Sequence, residues 1–263
     1  MEVNTGTVKL NGLEMDYAVF GRGRKNFIIL PGMSVKSVME SANVVANQYS
    51  PFCEEYTVFV FDRRKNLEEG CSVLEMADDS FRAMEALGIS EADIFGASQG
   101  GMIALALAAL HPEKVHRLAL ASTQARPNSF STATMAEWER LSRAGLHREL
   151  NRDIFGKVYS PGFHKRYERA FGQLEDNGTP EELRRFAILA GATTGFDIFG
   201  NLYLVSCPVY AAGPEDDTVL SSAGIREIAS VLDCELHIYP GKGHAVYDED
   251  KDFPNKILEF FKR

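Results

Sequence analysis

Short apolar runs alternate with longer amphipathic segments along most of the chain. Near the start, Asn11 and Gly12 separate two alternating segments, and this dipeptide favours a two-residue hairpin turn. Further runs have the length and composition of sheet strands that are covered on both faces. These runs span residues 27–30, 57–61, 92–95 and 115–121. The pattern predicts an antiparallel hairpin followed by a mostly parallel sheet.

Two helices are predicted between these strands. Ser72 can cap the first helix while Glu75 reaches back to it, and Gly88 ends it. The second helix, from about Gln99 to Leu110, is apolar on nearly every side, which is typical of a buried crossover helix. Strand, helix, strand in this order predicts parallel pairing with right-handed crossovers, and therefore an α/β fold.

The rhythm changes in the middle of the chain. Residues 126–202 are mixed in charge and have helical spacing, without a run typical of a buried strand. Strand and helix patterns return afterwards, at 207–212, 221–232, 235–239 and 253–261. We interpret residues 126–202 as a helical cap inserted into a core domain made of residues 1–125 and 203–263.

Composition and charge narrow the class of protein. The chain has 263 residues, of which 45% are hydrophobic and 25% charged, so it can build a full globular core. The net charge of −9 disfavours nucleic acid and anionic membrane surfaces as partners. Neither a signal peptide nor an apolar run of about 20 residues is found, so a cytoplasmic protein is expected. The four cysteines lack zinc-site spacing, and the sequence implies no metal and no cofactor.

The sequence from Gly96 to Gly100 carries the strongest chemical signal. It reads G-x-S-x-G and lies where a predicted strand meets a predicted helix, the context in which a nucleophilic serine is exposed on a sharp turn. Ser98 is therefore the candidate nucleophile. The N–H of Gln99, at the start of the helix, is expected to point towards an oxyanion formed beside Ser98.

A serine nucleophile needs a base and an acid that orients the base. Among six histidines, His244 is the candidate base because it follows the last predicted strand on a glycine-flexed loop. Three acids compete for the third position, in the turn after a strand that ends at Gly213. We favour Asp216; Asp217 is a serious rival and Glu215 a weaker one.

Gly96–Gly100, the turn from Gly213 to Asp216, and Gly243-His244, in the order Ser, Asp, His, resemble the α/β-hydrolase fold superfamily over essentially the whole chain. The resemblance implies a mostly parallel sheet with flanking helices and a helical cap. It also implies a second oxyanion donor after the third strand, which here is the N–H of Met33. The chain has Pro31-Gly32 where many members have His-Gly.

The expected activity is acyl transfer to water, with a small or medium apolar carboxylic ester as the small-molecule substrate. Two alternatives stay open. One is an aminopeptidase of the proline-iminopeptidase type, or another amide or C–C hydrolase. For the aminopeptidase, cap acids such as Glu137, Glu139 or Glu168 could bind the substrate amine. The other is a ligand sensor with slow turnover.

Two further groups of side chains were considered for the site. Arg63 and Arg64 are expected to form a solvated pair anchored by nearby acids. Aromatic residues of the cap are candidates for the pocket wall: Trp138, Phe155, Tyr159, Phe163, Phe186, Phe196 and Phe199.

Overall fold

The computed structural model describes residues 2–263. Its eight-stranded sheet has the order β1-β2-β4-β3-β5-β6-β7-β8. The strands are β1 (Asn4–Leu10), β2 (Leu13–Gly21), β3 (Lys25–Leu30), β4 (Tyr56–Arg64), β5 (Ala92–Ala97), β6 (Val115–Ala121), β7 (Val209–Pro214) and β8 (Glu235–Tyr239). β2 pairs antiparallel with β1 and β4, and all the pairings from β4 to β8 are parallel. The predicted α/β fold is confirmed.

Helices connect the strands and cover both faces of the sheet. They are α1 (Ala42–Gln48), α2 (Val73–Ala86), α3 (Gln99–Leu110), α4 (Ser129–Arg143), α5 (His147–Val158), α6 (Pro161–Leu174), α7 (Pro180–Thr194), α8 (Ser222–Leu232), α9 (Val246–Glu249) and α10 (Phe253–Phe261). Short 3₁₀ helices span Val38–Ser41, Ser50–Phe52, Pro112–Lys114 and Phe199–Leu204.

Local sequence signals account for the first elements. Leu10 pairs with Leu13 across the predicted turn, and Gly12 takes a φ of 74°, a left-handed conformation that glycine adopts without strain. At the start of α2 the side chains of Ser72 and Glu75 each accept a hydrogen bond from the other's backbone N–H. This capping box satisfies two N–H groups that a helix start leaves without partners. The predictions for the hairpin and for α2 are confirmed.

The core occupies both faces of the sheet. One face is aromatic: Phe27 stacks on Phe52 with ring centroids 4.4 Å apart and meets the edge of Phe261 from α10 at 5.5 Å. The other face is aliphatic and is covered by α2, α3 and α8. Residues 99–109 of α3 are all buried, as its all-round apolar pattern predicts. These helices fix the ends of the strands that carry the candidate site.

Four helices, α4 to α7, lie between β6 and β7 in sequence. Trp138 of α4 packs against Phe186 of α7, with ring centroids 6.1 Å apart, and both side chains are buried. The predicted helical character of this stretch is confirmed. We call residues 126–202 the cap segment; its status as a separate domain stays a prediction.

A bilayer-spanning helix would have to be both long and apolar. Among residues 2–263, none of the helices meets both conditions.

Candidate active site

The turn between β5 and α3 holds Ser98 in a strained backbone conformation. Its φ of 54° and ψ of −123° are rare for a residue with a side chain, and such strain concentrates at functional sites. The turn is possible because its flanking residues are glycines. A Cβ on Gly96 would lie 2.5 Å from the Gly100 carbonyl oxygen, and one on Gly100 would lie 2.0 Å from the Leu30 carbonyl oxygen. The G-x-S-x-G pattern is thus a packing requirement at this turn.

The last residue of β6 and the two residues after it connect Ser98 to the loop of His244. The Ser98 N–H donates to the Ala121 carbonyl at 2.9 Å, and the Thr123 hydroxyl donates to the Ser98 carbonyl at 2.8 Å. Between them, the Ser122 hydroxyl donates to the His244 carbonyl at 2.6 Å. Three consecutive residues therefore fix the backbones of the serine and the histidine relative to one another.

The imidazole of His244 pairs with Asp217. Its Nδ1 lies 2.8 Å from Oδ2 and 3.0 Å from Oδ1 of Asp217, and both side chains are buried. Asp216 is exposed, and its side chain makes no such contact with His244. The preference for Asp216 is therefore corrected to Asp217, which the sequence had left open as the rival. The chain turns after β7 so that Asp217, the third of the three acids, faces inward, whereas Asp216 faces solvent.

The attraction of His244, together with hydrogen bonds, keeps Asp217 ionised in spite of its burial. Burial alone would raise the pKa of the carboxyl group, but the attraction of His244 and its hydrogen bond act in the opposite direction. The backbone N–H groups of Val219 and Leu220 also donate to Oδ1, at 2.8 and 2.9 Å. The net effect is a pKa below the ordinary value. Asp217 can therefore hold the imidazole in the tautomer that carries its proton on Nδ1.

The other ring nitrogen of His244 is buried without a hydrogen-bond partner among the described residues. A buried polar atom of this kind calls for an explanation, and a reacting proton is one. Ser98 is 7% exposed and His244 is 2% exposed, so the site is covered. Because His244 Nδ1 is committed to Asp217, Nε2 is the nitrogen left to accept a proton.

The two expected oxyanion donors lie on elements that are packed together. Gln99 is the first residue of α3, where backbone N–H groups have no partner within the helix. Met33 follows β3, and Gly100 brings α3 against the Leu30 and Pro31 carbonyls of that same loop. The side chain of Gln99 points elsewhere: its Nε2 donates to the Leu189 carbonyl at 2.7 Å and to the Thr193 hydroxyl at 2.8 Å, both in α7.

Sequence reasoning missed Tyr247, three residues after His244. A methyl group on Gly32 would lie 3.3 Å from Ser98 Cβ and 3.6 Å from the Tyr247 hydroxyl oxygen, so this hydroxyl shares a small space with the nucleophile. Burial, with the nearby charges of Asp248 and Asp217, raises the pKa of Tyr247 well above the ordinary value. Its hydroxyl therefore remains a hydrogen-bond donor at physiological pH. An aromatic residue near a candidate catalytic histidine carries no sequence signal that separates it from a core residue.

Arg63 and Arg64 do not form the solvated pair that the sequence suggested. Arg63 is 6% exposed, and its Nη2 donates to the Pro31 carbonyl at 2.7 Å, directly before the loop that holds Met33. Burial lowers the pKa of Arg63 to about 10, a shift that Asp62 partly opposes. Arg64 binds the buried carboxylate of Asp79 through Nε at 2.6 Å. β4 alternates its side chains between the two faces of a sheet that is covered on both, so both arginines are drawn inward.

Some of the cap aromatics proposed as pocket wall pack against each other, as Trp138 does with Phe186. Trp138 also donates its indole N–H to Asp153 at 2.7 Å. Tyr159 stacks on Phe163 at 4.9 Å, and the Arg126 guanidinium lies 3.9 Å over the ring of Phe199. Which of the seven line the pocket stays a prediction. Among residues 2–263, His, Cys, Asp and Glu form no group of three that could hold a metal ion.

Comparison with known proteins identifies the class to which this fold and site belong. The family model of the α/β hydrolase fold matches residues 26–251, and the chain belongs to this family. It is 34% identical over 239 residues to RutD of Caulobacter segnis, a protein named as a carbamate hydrolase, with 84% of this chain and 87% of that protein covered.

Two further similar proteins are named for other substrates. The 2-hydroxymuconate semialdehyde hydrolase of Pseudomonas putida is 28% identical over 193 residues, which cover 68% of this chain and 64% of that protein. The crystal structure of the enol-lactonase from Burkholderia xenovorans LB400 superposes with a TM-score of 0.86 at 19% identity, with 98% and 100% of the two chains covered. The family and its relatives support hydrolytic activity.

Proposed function

We propose that the protein is a serine hydrolase with Ser98 as nucleophile, His244 as base and Asp217 as the acid that orients the base. The observation that carries the proposal is the buried pair of His244 and Asp217, which leaves Nε2 of the imidazole without a partner. The strained turn at Ser98, tied through residues 121–123 to the His244 carbonyl, supports it.

The reaction takes place in two halves. Ser98 Oγ forms a bond to the carbonyl carbon while its proton passes to His244 Nε2, and the N–H groups of Met33 and Gln99 stabilise the oxyanion. The carbonyl re-forms as the bond to the leaving alkoxide breaks, and the alkoxide takes the proton from the imidazolium. Water then attacks the acyl-enzyme with the same proton transfers and releases the acid and Ser98. Asp217 stays ionised throughout.

The substrate class that we favour is a small or medium apolar carboxylic ester, met in the cytoplasm. Ser98 is almost fully buried, which favours substrates that can leave water completely. Gly32 lies next to Ser98, and Met33 after it packs against the aliphatic core; Leu189 and Thr193 of α7, both buried, lie beside Gln99. These largely apolar surroundings favour apolar groups near the reacting carbonyl.

Carbamate hydrolysis is the second candidate. The 34% identity to RutD of Caulobacter segnis over most of both chains favours it. A carbamate carbonyl passes through the same tetrahedral intermediate, so the same residues would act on it. The choice between the two depends on the groups that flank the carbonyl, which the triad itself does not select.

The aminopeptidase alternative loses its main support. Glu137 binds Arg140 at 2.7 Å, and Glu139 binds Arg143 at 2.8 Å, so both carboxylates already have cationic partners in α4. Glu168 lies on an exposed part of α6. A site for a substrate amine would need an acid without such a partner.

The test is a series of p-nitrophenyl esters with acyl chains from two to ten carbons, next to matched p-nitrophenyl carbamates and aminoacyl arylamides. We expect many turnovers with short to medium esters and a loss of about 10⁴-fold or more in Ser98→Ala. Faster turnover of the carbamates would favour the second candidate. A stoichiometric burst without turnover would favour the sensor, and equal rates for wild type and Ser98→Ala would refute the proposal.

A further inference from the structure

Glu249 joins the cap segment to the loop that carries His244. Its Oε1 accepts hydrogen bonds from the Ser160 N–H at 2.6 Å and from the Gly243 N–H at 3.1 Å. Its Oε2 accepts from the Ser160 hydroxyl at 2.6 Å. Ser160 lies between α5 and α6 of the cap segment, and Gly243 directly precedes His244. One buried carboxylate thus holds both segments.

Backbone packing makes the junction tighter. The Ala245 N–H donates to the Val158 carbonyl at 3.0 Å, so the residue that follows His244 is also bound to the cap segment. A Cβ on Gly243 would lie 2.5 Å from the Ser160 nitrogen. Glycine at 243 therefore lets the cap backbone rest directly on the loop. His244 lies between two residues that both contact residues 158–160.

The cap segment also reaches the loop of Asp217. The Thr218 hydroxyl donates to the Lys157 carbonyl at 2.5 Å. Residues 157–160 thus contact both loops that form the imidazole–carboxylate pair. Since Ser98 and His244 are covered, substrate entry requires part of this covering to move, and movement of residues 157–160 would disturb the pair.

We propose that Glu249 is a positioning residue that makes the alignment of His244 depend on closure of the cap segment. The proposal rests on the proposed role of His244 as the base. With the cap segment closed, Glu249 holds Gly243 and thereby fixes the backbone on which the imidazole is mounted. When the segment lifts, Ser160 leaves and that restraint on the loop weakens. The base is then aligned only in the closed state, in which bulk water is excluded and a single water molecule suffices for the second half of the reaction.

Loss of the hydrogen-bond acceptor at Glu249 is expected to lower the rate of the chemical step. Removing the carboxylate would leave the buried N–H of Gly243 and the half-buried N–H of Ser160 without an acceptor, an unfavourable state that the loop can relieve by shifting. A displacement of about 1 Å in a catalytic group can cost on the order of 100-fold in rate. The effect should therefore fall on kcat, since Glu249 binds backbone groups and the Ser160 hydroxyl.

Three variants test the proposal on the preferred ester. We expect Glu249→Ala to lower kcat by about 10- to 100-fold with a change in KM below about threefold. Glu249→Gln keeps an oxygen that can accept both N–H groups, and it should retain most of the activity. Glu69→Ala is the matched control, because Glu69 also binds the cap segment from outside it, but through Arg143 of α4 and Arg184 of α7 and not through residues 157–160. Its kcat should stay near wild type.

Hydrogen–deuterium exchange gives a readout that does not need activity. In Glu249→Ala we expect faster exchange in residues 157–160 and 243–245 together, with both segments protected again in Glu249→Gln. If Glu249→Ala does not fold, Ser160→Ala removes the Oε2 contact together with the hydrogen bond that the Ser160 hydroxyl accepts from the Phe163 N–H at the start of α6. Faster exchange in residues 243–245 is then the deciding result, because loss of the helix cap by itself acts on α6. Unchanged kcat in Glu249→Ala, or faster exchange in only one segment, would overturn the coupling. Absence of Ser98-dependent turnover in wild type would refute the proposed function. The exchange experiment would still show whether Glu249 couples residues 157–160 to residues 243–245.

Discussion

Two neighbouring aspartates, Asp216 and Asp217, have opposite surroundings. Asp217 is buried, contacts His244 and accepts two backbone N–H groups, whereas Asp216 is exposed to solvent. A carboxylate in water is screened and cannot orient a buried imidazole. Burial and hydrogen bonding, and not the identity of the side chain, separate the two residues.

Substitution of these aspartates tests the proposed acid. We expect Asp217→Asn to lower kcat by about 10³- to 10⁴-fold, because an amide at this position favours the wrong imidazole tautomer. Asp216→Asn should stay within about twofold of wild type, as an exposed side chain away from the reacting groups. Ester kinetics at pH 7.5 compare the two, and a larger loss in Asp216→Asn would contradict the structural assignment.

The Tyr247 hydroxyl gives a second prediction at the residue scale. It shares space with Ser98 beside Gly32, and its raised pKa keeps it protonated. If it donates to the substrate or to the oxyanion, Tyr247→Phe should lower kcat/KM by about 10-fold, below the full effect of a main oxyanion donor. Thermal unfolding serves as control and should change little. Unaltered kcat/KM would assign Tyr247 to packing alone.

At the scale of elements, the loop after β3 connects three parts of the site. It carries Gly32 and Met33, abuts the start of α3 at Gly100, and has its Pro31 carbonyl bound by the buried guanidinium of Arg63. Arg63 thus restrains the backbone directly before the expected oxyanion donor. An arginine can do this because its rigid, planar guanidinium keeps its charge even at a pKa of about 10.

Gly32→Ala tests the space that this loop encloses. The added methyl group would lie 3.3 Å from Ser98 Cβ and would occupy the gap towards Tyr247. We expect kcat/KM for esters to fall at least about 10-fold by obstruction of the reacting carbonyl, with little change in the melting temperature. Titration with a small fluorophosphonate should show slowed labelling of Ser98. Full activity in Gly32→Ala would show that the substrate does not use this space.

At the scale of the whole molecule, burial also changes the pKa of cysteine thiols outside the candidate site. Burial raises the pKa of Cys71, Cys207 and Cys234 to about 11. A raised pKa leaves a thiol neutral, so at pH 8 about a thousandth of each is thiolate, the form that reacts. The fold therefore protects these cysteines without any disulfide.

Alkylation tests this property. We expect native protein treated with iodoacetamide at pH 8 to keep its hydrolytic activity, with slow labelling of these three cysteines that accelerates after unfolding in urea. The reactive fraction should rise as the pH approaches 11, because the thiolate forms there. Mass spectrometry of the modified peptides provides the measurement. Rapid loss of activity with a single alkylated cysteine would place a thiol in the site.

Residue patterns in the chain were sufficient to predict the main strands and helices and two residues of the candidate site. Alternating and all-round apolar runs defined the hairpin, the parallel strands and α3, since burial in a covered sheet leaves few polar positions. G-x-S-x-G located Ser98 because the turn tolerates only small neighbours, and a glycine-flexed loop after the last strand indicated His244.

Only the tertiary structure decided which side chains face inward and which partners they contact. The path of the turn after β7 brings Asp217, and not its neighbour Asp216, into contact with His244. Local composition does not encode this one-residue difference. The positions of Tyr247, Arg63 and Glu249 depend on contacts with residues far away in sequence, such as Gly32, Pro31 and Ser160. The sequence therefore determined the chemical groups and their supporting elements, whereas their pairing required the packed fold, in which burial makes each hydrogen bond selective.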